Sequence, residues 1–380
     1  MNRNNDFLAR NIYCILGLPF DAIDLDGSVG RISSAVDLSA PCFLSTPNLN
    51  FVIATQSDTA FFNSVVESDL SVADGMPLIW VAKLLGVPIK ERVAGSTLFD
   101  ELSNMPREKK IKVYFFGGQE GVAERAHQKL NETSEGMVCC GFHDPGFVSI
   151  DEMSSSAIIE KNNTAKPDFI VVALGAKKGQ SWIQKNRDQL NASVISHLGA
   201  VINFVAGAID RAPVVWQRMG LEWLWRIKQE PNLWKRYFMD GTAFIYLLIT
   251  KVVPLAIYDR TLKRSVCYKK PCAVAWAEPD KRKRTVLLSG SINHQNLKPV
   301  KEFLSSIIDS ECTELSPSAL SLDLFDVEYI DAAFIATLML FQRYLVEQGR
   351  KLELINVPSR ILRILNMNNV LGRFHLHNGQ

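Results

Sequence analysis

The run VYFFGGQEG, Val113 to Gly121, reads as a short apolar strand that stops on two glycines where a helical pattern begins. The same plan recurs along the chain. Ile12 to Leu18 ends at Gly17-Leu18-Pro19, and Cys42 to Leu44 closes on Ser45-Thr46-Pro47-Asn48. Phe169 to Leu174 precedes Gly175, and Val194 to Leu198 precedes Gly199. Short β-rich runs that end on Gly or Asn and pass into helical patterns are the signature of parallel βαβ units. Such sheets bind ligands outside the carboxyl ends of their strands, where loops meet helix N-termini. Candidate site residues are therefore expected just after a strand.

Composition narrows the class. A chain of 380 residues is longer than one typical domain, and 47% hydrophobic with 22% charged residues is ordinary for a folded protein. A net charge of +2 gives no ground for a nucleic-acid partner, so any basic function must be local. Seven cysteines are scattered without CxxC pairs, which suits reduced thiols better than a disulfide framework or a zinc site. No HExxH, clustered metal ligands or GxSxG elbow occurs, so neither a metal nor another cofactor is expected. The N-terminus has no small-residue cleavage site beside its apolar run and reads as a first strand, not a signal peptide.

The loops carry the candidate chemistry. Thr46-Pro47-Asn48-Leu49-Asn50 offers a hydroxyl and two amides, which equally suit a helix cap. Ser71 to Pro77 holds Asp74 in a Gly/Pro-punctuated turn; it is either plain turn chemistry or a general base for a sugar hydroxyl. Arg92-Val93-Ala94-Gly95-Ser96 brings a cation to a flexible backbone, a combination that suits a diphosphate. Gly117 and Gly118 resemble a phosphate-cradling turn without matching a Rossmann fingerprint or a P-loop. From Gly207 to Tyr237 the chain sets Trp216, Trp223, Trp225 and Trp234 among Arg211, Arg218, Arg226, Lys228, Lys235 and Arg236. That mixture suits an aromatic core helix, a solvated basic face, or a segment that meets an anionic, partly apolar partner such as a lipid-linked diphosphate.

These motifs, in this order, resemble the WecG/TagA/CpsF family of glycosyltransferases over roughly residues 10 to 240. Those that carry the likeness are Thr46-Pro-Asn, Ala73 to Pro77, Arg92 to Ser96, Phe115 to Gly118, Val172 to Gly175 with Trp182-Ile183, and Arg211-Ala-Pro213 through Arg236-Tyr237. The resemblance implies an inverting transferase that moves an N-acetylmannosamine-type sugar, or its uronic acid, from a UDP donor to a polyprenyl-diphosphate-linked acceptor. It implies Asp74 as general base and Thr46 as a second catalytic residue, with Thr46 and Asn48 in the donor and acceptor pocket. It also implies Arg92, Gly117, Gly118, Gly175 and Gln180 on the nucleotide sugar, and Arg211, Arg218, Arg226 and Arg236 near the diphosphates. The family's G-x-P-[KR]-Q-E reads here Gly175-Ala-Lys-Lys-Gly179-Gln180, and Asn203 stands where the family often has Asp. These departures keep a second reading open, a non-catalytic regulator that binds a nucleotide sugar or lipid.

Beyond Asp240 the character changes. Ala243 to Tyr258 is apolar, broken by Lys251 and Pro254, and shorter than the ~20 residues that cross a bilayer. Asp259 to Arg284 follows with nine Lys/Arg against three acids. An apolar helix beside a basic run suits peripheral attachment to anionic lipid, and the glycosyltransferase resemblance implies the cytoplasmic face of the inner membrane, although a buried helix, a re-entrant helix or a membrane scaffold fits the same run. The remainder alternates strand and helix three times. Ser321 to Phe334 resembles the STAS domain of anti-sigma-factor antagonists, with alanines at 332 and 333 where that family commonly has a serine pair. Both a protein partner or scaffolding role and a purely structural appendage are open for this domain. The architecture expected is α/β throughout: residues 1–240 a Rossmann-like parallel-sheet glycosyltransferase domain with a helical Trp/Arg-rich appendage, 241–284 a membrane-associating helix and linker, and 285–380 a small α/β STAS-like domain.

Overall fold

The computed structural model describes residues 6–277, 284–310 and 319–377. The chain forms two compact units, one of Ile23–Ile79 and Lys90–Ala243, the other of Met1–Ala22, Trp80–Ile89 and Phe244–Gln380. The chain's first residues thus share a unit with its last ones.

The strands, in chain order, are β1 (Ile12–Ile15), β2 (Leu18–Asp21), β3 (Cys42–Ser45), β4 (Leu70–Ser71), β5 (Ile111–Gly117), β6 (Met137–His143), β7 (Phe169–Ala173) and β8 (Val194–His197). In the C-terminal region come β9 (Ala273–Trp276), β10 (Arg284–Ile292), β11 (Ala319–Ile330), β12 (Lys351–Ile355) and β13 (His375–His377).

The first unit is a six-stranded sheet in the order β4-β3-β8-β7-β5-β6, parallel throughout. A parallel sheet is covered on both faces, so its inner strands are apolar at every position instead of alternating. FIVVA in β7 is such a strand, buried along its whole length. One face packs on the helices Leu25–Asp37, Gly95–Asn104, Val122–Thr133 and Val201–Val205 through Ile32, Leu98, Ala126 and Ile202. The other packs on Ile150–Met153, Ser156–Thr164 and Ala176–Asn186 through Met153, Ile159 and Trp182. Trp182 is fully buried, stacked on Phe116 at 4.1 Å, with its Nε1 donating to the Met153 carbonyl at 3.0 Å. Neighbouring strands β5 and β7 send their following helices to opposite faces, which opens a crevice between their carboxyl ends.

The run from Ile12 to Leu18 is not a strand of this sheet. It folds back as the antiparallel hairpin β1–β2, turning at Leu16 and Gly17, which have φ of 50° and 94°. Two successive residues at positive φ make the tight turn that matches strand twist, and an X-Gly pair inside an apolar run was its sequence signal.

In the second unit the order is β13-β12-β11-β10-β9, parallel except for the antiparallel pair β9–β10. The helices Lys298–Ser310, Ala332–Glu347 and Ser359–Met367 alternate with its strands as the sequence pattern implies. Asp331 caps the second helix, its Oδ1 accepting from the Ala333 and Phe334 amides at 3.0 Å.

Candidate active site

Every expected loop lies at the carboxyl end of the parallel sheet. β3 runs into Thr46 and Asn48; Asn48 caps the helix Leu49–Ser57, its Oδ1 accepting from the Phe51 amide at 3.3 Å. The turn after β4 is stitched to its neighbours by the main chain. The Asp74 amide donates to the Pro47 carbonyl and the Val93 amide to the Ala73 carbonyl, each at 3.0 Å. The loops bearing Thr46, Asp74 and Arg92 are therefore held side by side. Gly95 packs so closely between them that a Cβ there would lie 2.5 Å from Leu198 Cδ2 and 3.5 Å from Thr46 Oγ1.

Asp74 is the electrostatic centre. Its Oδ1 lies 3.7 Å from Arg92 Nε, and the Gly95 amide points at its Oδ2 at 3.5 Å. Arg92 is shared, because its Nη1 also reaches Glu222 Oε2 at 2.6 Å. Burial pushes the Asp74 carboxyl above the ordinary carboxylate range; Arg92, Gly95 and Arg226 oppose that rise, and Glu222 adds to it. Side chains of Asp74 and Arg92 nevertheless keep 30% and 13% of their surfaces exposed, so a ligand can reach both.

Two arginines of the appendage, Arg211 and Arg226, arrive already paired. Arg211 is bonded to Asp100 and donates to Ser96 Oγ at 3.2 Å and Thr97 Oγ1 at 2.8 Å, which fastens the appendage to the helix Gly95–Asn104. Arg226 Nη2 reaches Glu230 at 3.2 Å, while its buried Nε has no hydrogen-bond partner. Arg236 is exposed, over the Tyr237 ring at 5.2 Å. The side chain of Arg218 lies outside the described residues. Asp240, buried and bonded to Asn50 Nδ2 at 3.2 Å, ties the end of this segment to the first turn of the helix Leu49–Ser57. Neither Asp100 nor Asp240 stood out in the sequence, because their partners are distant along the chain.

At the crevice, Gly117 and Gly118 have φ of 94° and 102°, and the Gly118 amide donates to the Ala173 carbonyl at 2.9 Å. A Cβ on Gly117 would meet that carbonyl oxygen at 2.9 Å, so both conformation and space require glycine. Gly175 opens the helix Ala176–Asn186 and faces open space. Gly179, one turn on, is a different matter: a Cβ there would lie 2.3 Å from His197 Cδ2. His197 fills the room that a side chain at 179 would take. Burial holds this imidazole neutral by lowering its pKa, against the contact of its Nε2 with the Leu174 carbonyl at 2.5 Å. Gln180 is fully buried and donates to Ser45 Oγ at 3.0 Å; its Oε1 has no partner. Among the described residues no cluster of His, Cys, Asp and Glu could hold a metal ion.

A doubly covered parallel sheet with an acid–arginine pair and a glycine turn at its carboxyl edge is the layout of an α/β protein that takes its ligand at the carboxyl ends of the strands. The model of the glycosyl transferase WecG/TagA/CpsF family matches residues 13–256, and the chain belongs to that family of glycosyltransferases. A second model, described as Mlab, STAS domain, matches residues 277–372. Among curated proteins, the chain is 27% identical over 220 residues to an N-acetylglucosaminyldiphosphoundecaprenol N-acetyl-beta-D-mannosaminyltransferase of Bacillus spizizenii, covering 58% of this chain and 84% of that one. It is 25% identical over 224 residues to the protein of the same name in Staphylococcus aureus strain MW2, covering 58% and 85%.

Proposed function

We propose that the chain transfers an N-acetylmannosamine-type sugar, or its uronic acid, with inversion from a UDP donor to a sugar on a polyprenyl diphosphate. The setting is cell-surface polysaccharide synthesis, with the protein held peripherally at the cytoplasmic membrane face. Asp74 accepts the proton of the acceptor hydroxyl as its oxygen attacks the anomeric carbon; the bond to UDP breaks in the same displacement. A base for this step needs a carboxyl that is reachable yet less acidic than usual, and the desolvated Asp74 beside Arg92 is the observation that carries the reading. Thr46 and Asn48 line the pocket beside it. Gly117, Gly118, Gly175 and Gln180 border the nucleotide-sugar side. Arg92, Arg211, Arg218, Arg226 and Arg236 offset charge on the diphosphates, the paired ones by exchanging Asp100, Glu222 or Glu230 for phosphate oxygens.

The names of the curated relatives support the acceptor class and the sugar. One observation favours the non-catalytic regulator: the family's glutamine amide has no counterpart, since Gly179 carries no side chain and Gln180 is bonded into the core. A single experiment separates the two. Wild type and Asp74→Asn are offered a panel of UDP-N-acetylhexosamines and their uronic acids with a short-chain lipid-diphosphate–GlcNAc acceptor. The expected result is turnover with one donor that falls ~10²–10⁴-fold in the variant. A donor that binds without turning over in wild type would instead establish the regulator.

A further inference from the structure

The hairpin β1–β2 belongs to the stretch matched by the glycosyltransferase family, yet it lies in the compact unit of the STAS-like domain. A two-stranded hairpin is marginal alone and needs a surface to cover it. Here every residue of both strands is buried, and Ile12, Tyr13, Cys14, Ile15, Leu18 and Phe20 are at most 4% exposed. β1 lies along the helix Ala332–Glu347.

Contacts of several kinds hold the two together. Phe7, just ahead of β1, stacks on Tyr344 with ring centroids 5.7 Å apart. The Tyr13 ring lies 6.3 Å from that of His294, which is itself bonded to Asp331 at the head of the helix. Lys301 Nζ donates to the Arg10 carbonyl at 2.7 Å, and Arg10 pairs with Asp21 at 2.7 Å, both side chains under a tenth exposed. Gly17 at the tip packs on the turn after the helix Ser359–Met367, where a Cβ would lie 3.1 Å from the Asn369 carbonyl oxygen.

We infer that the partner of the STAS-like domain is the chain's own transferase segment: the domain binds the hairpin in cis, along the helix Ala332–Glu347 from its head at Asp331 to Tyr344, and through its flanking helices. Residues 7–21 of the same molecule cover this helix, so the domain acts there as a fixed clamp, not as an adaptor for a second protein. Pairing Phe7 and Tyr344 across the contact matters because aromatic pairs add ~0.5–1.5 kcal/mol beyond the area they bury.

Hydrogen exchange on the full chain tests this by reciprocity. Phe7→Ala alters only the N-terminal segment, and Tyr344→Ala only the STAS-like domain. A clamp predicts that Phe7→Ala speeds exchange in 332–347 and that Tyr344→Ala speeds exchange in 12–21, each by ~2–10-fold. Peptides of β5 and β7 should stay at wild-type rates. Lys301→Met, which removes the donor to the Arg10 carbonyl, should act on 12–21 as Tyr344→Ala does. If each substitution loosens only its own side, or if none changes exchange in 12–21, the hairpin and the domain are independent and the inference fails.

Discussion

Asp74, Arg92 and Glu222 make a relay of alternating charge whose members answer to substitution in opposite directions. Burial raises the Asp74 carboxyl; Arg92 lowers it, and Glu222 raises it by like charge. A carboxylate base works deprotonated, so kcat/KM should climb with pH through the Asp74 titration, above the range of an ordinary carboxylate. Arg92→Gln removes the favourable charge, and the acidic limb should move to higher pH. Glu222→Gln removes the unfavourable one and frees Arg92, so the limb should move lower. Displacement of both limbs in the same direction, or of neither, would exclude Asp74 as the titrating base. The three residues differ in how visible they were. Asp74 stands just after β4 and could be read from position; Arg92 follows the helix Met76–Leu85 and was legible only as a cation in a Gly-containing loop; Glu222 sits among the tryptophans, and its link to Arg92 spans the fold. Gly179 was visible only as a missing amide. Its cause, the ring of His197 on the neighbouring strand, is a packing relation that no local pattern encodes.

At the scale of elements, the helix after the appendage departs most from expectation. Lys251 and Pro254 were read as breaks, yet the helix runs continuously from Pro231 to Lys263 and is long and apolar enough to cross a membrane. A widened π-type turn at Leu248–Val252 precedes Pro254 and accommodates a residue with no amide hydrogen and a bulky ring. Lys251 donates to the carbonyl and side-chain oxygens of Asn366 at 3.1 and 2.9 Å, so its charge is matched. The same face carries Asp259 bonded to Tyr329 and Tyr258 under Arg363. Opposite it, Ile245, Tyr246, Ile249, Val253 and Ile257 are 42–66% exposed. A helix bonded to a folded domain along one side would lose those contacts in spanning a bilayer, whereas lying at the interface keeps them and buries the apolar stripe. Ile249→Asp with Ile257→Asp should therefore weaken co-sedimentation with anionic vesicles at least ~10-fold, since burying an Ile is worth ~1.5–3 kcal/mol, and leave solution turnover on a short-chain acceptor intact. Unchanged vesicle binding would show that the stripe is not the lipid contact. Composition made the stripe legible; the turn that keeps the helix unbroken was not, because it depends on hydrogen-bond slippage instead of residue type.

At the scale of the whole molecule, the alternation of strands and helices disclosed both sheets, while the assignment of the first twenty residues went astray for a physical reason. An apolar run buried on both sides looks the same whether it lies in a parallel sheet or in a covered hairpin, and only its partner distinguishes the two. That partner lies at the far end of the chain. Met1–Ala22 and Phe244–Gln380 close into one unit, so this unit cannot be completed until the last strands exist. Ending the chain at Arg264 would strip β9 to β13 from the hairpin and expose part of a surface on which Ile12, Tyr13, Cys14, Ile15, Leu18 and Phe20 are now at most 4% exposed. Each large apolar side chain returned to water costs ~1.5–3 kcal/mol, and for a unit of this size each kcal/mol lowers the melting temperature by ~2–4 °C. The shortened chain is therefore expected to melt at least ~5 °C lower and to aggregate on expression, even though it keeps every proposed substrate-binding residue. Thermal denaturation and soluble yield, compared with the full chain, decide the matter. A shortened chain as soluble and as heat-resistant as the whole would mean that the transferase covers the hairpin by itself.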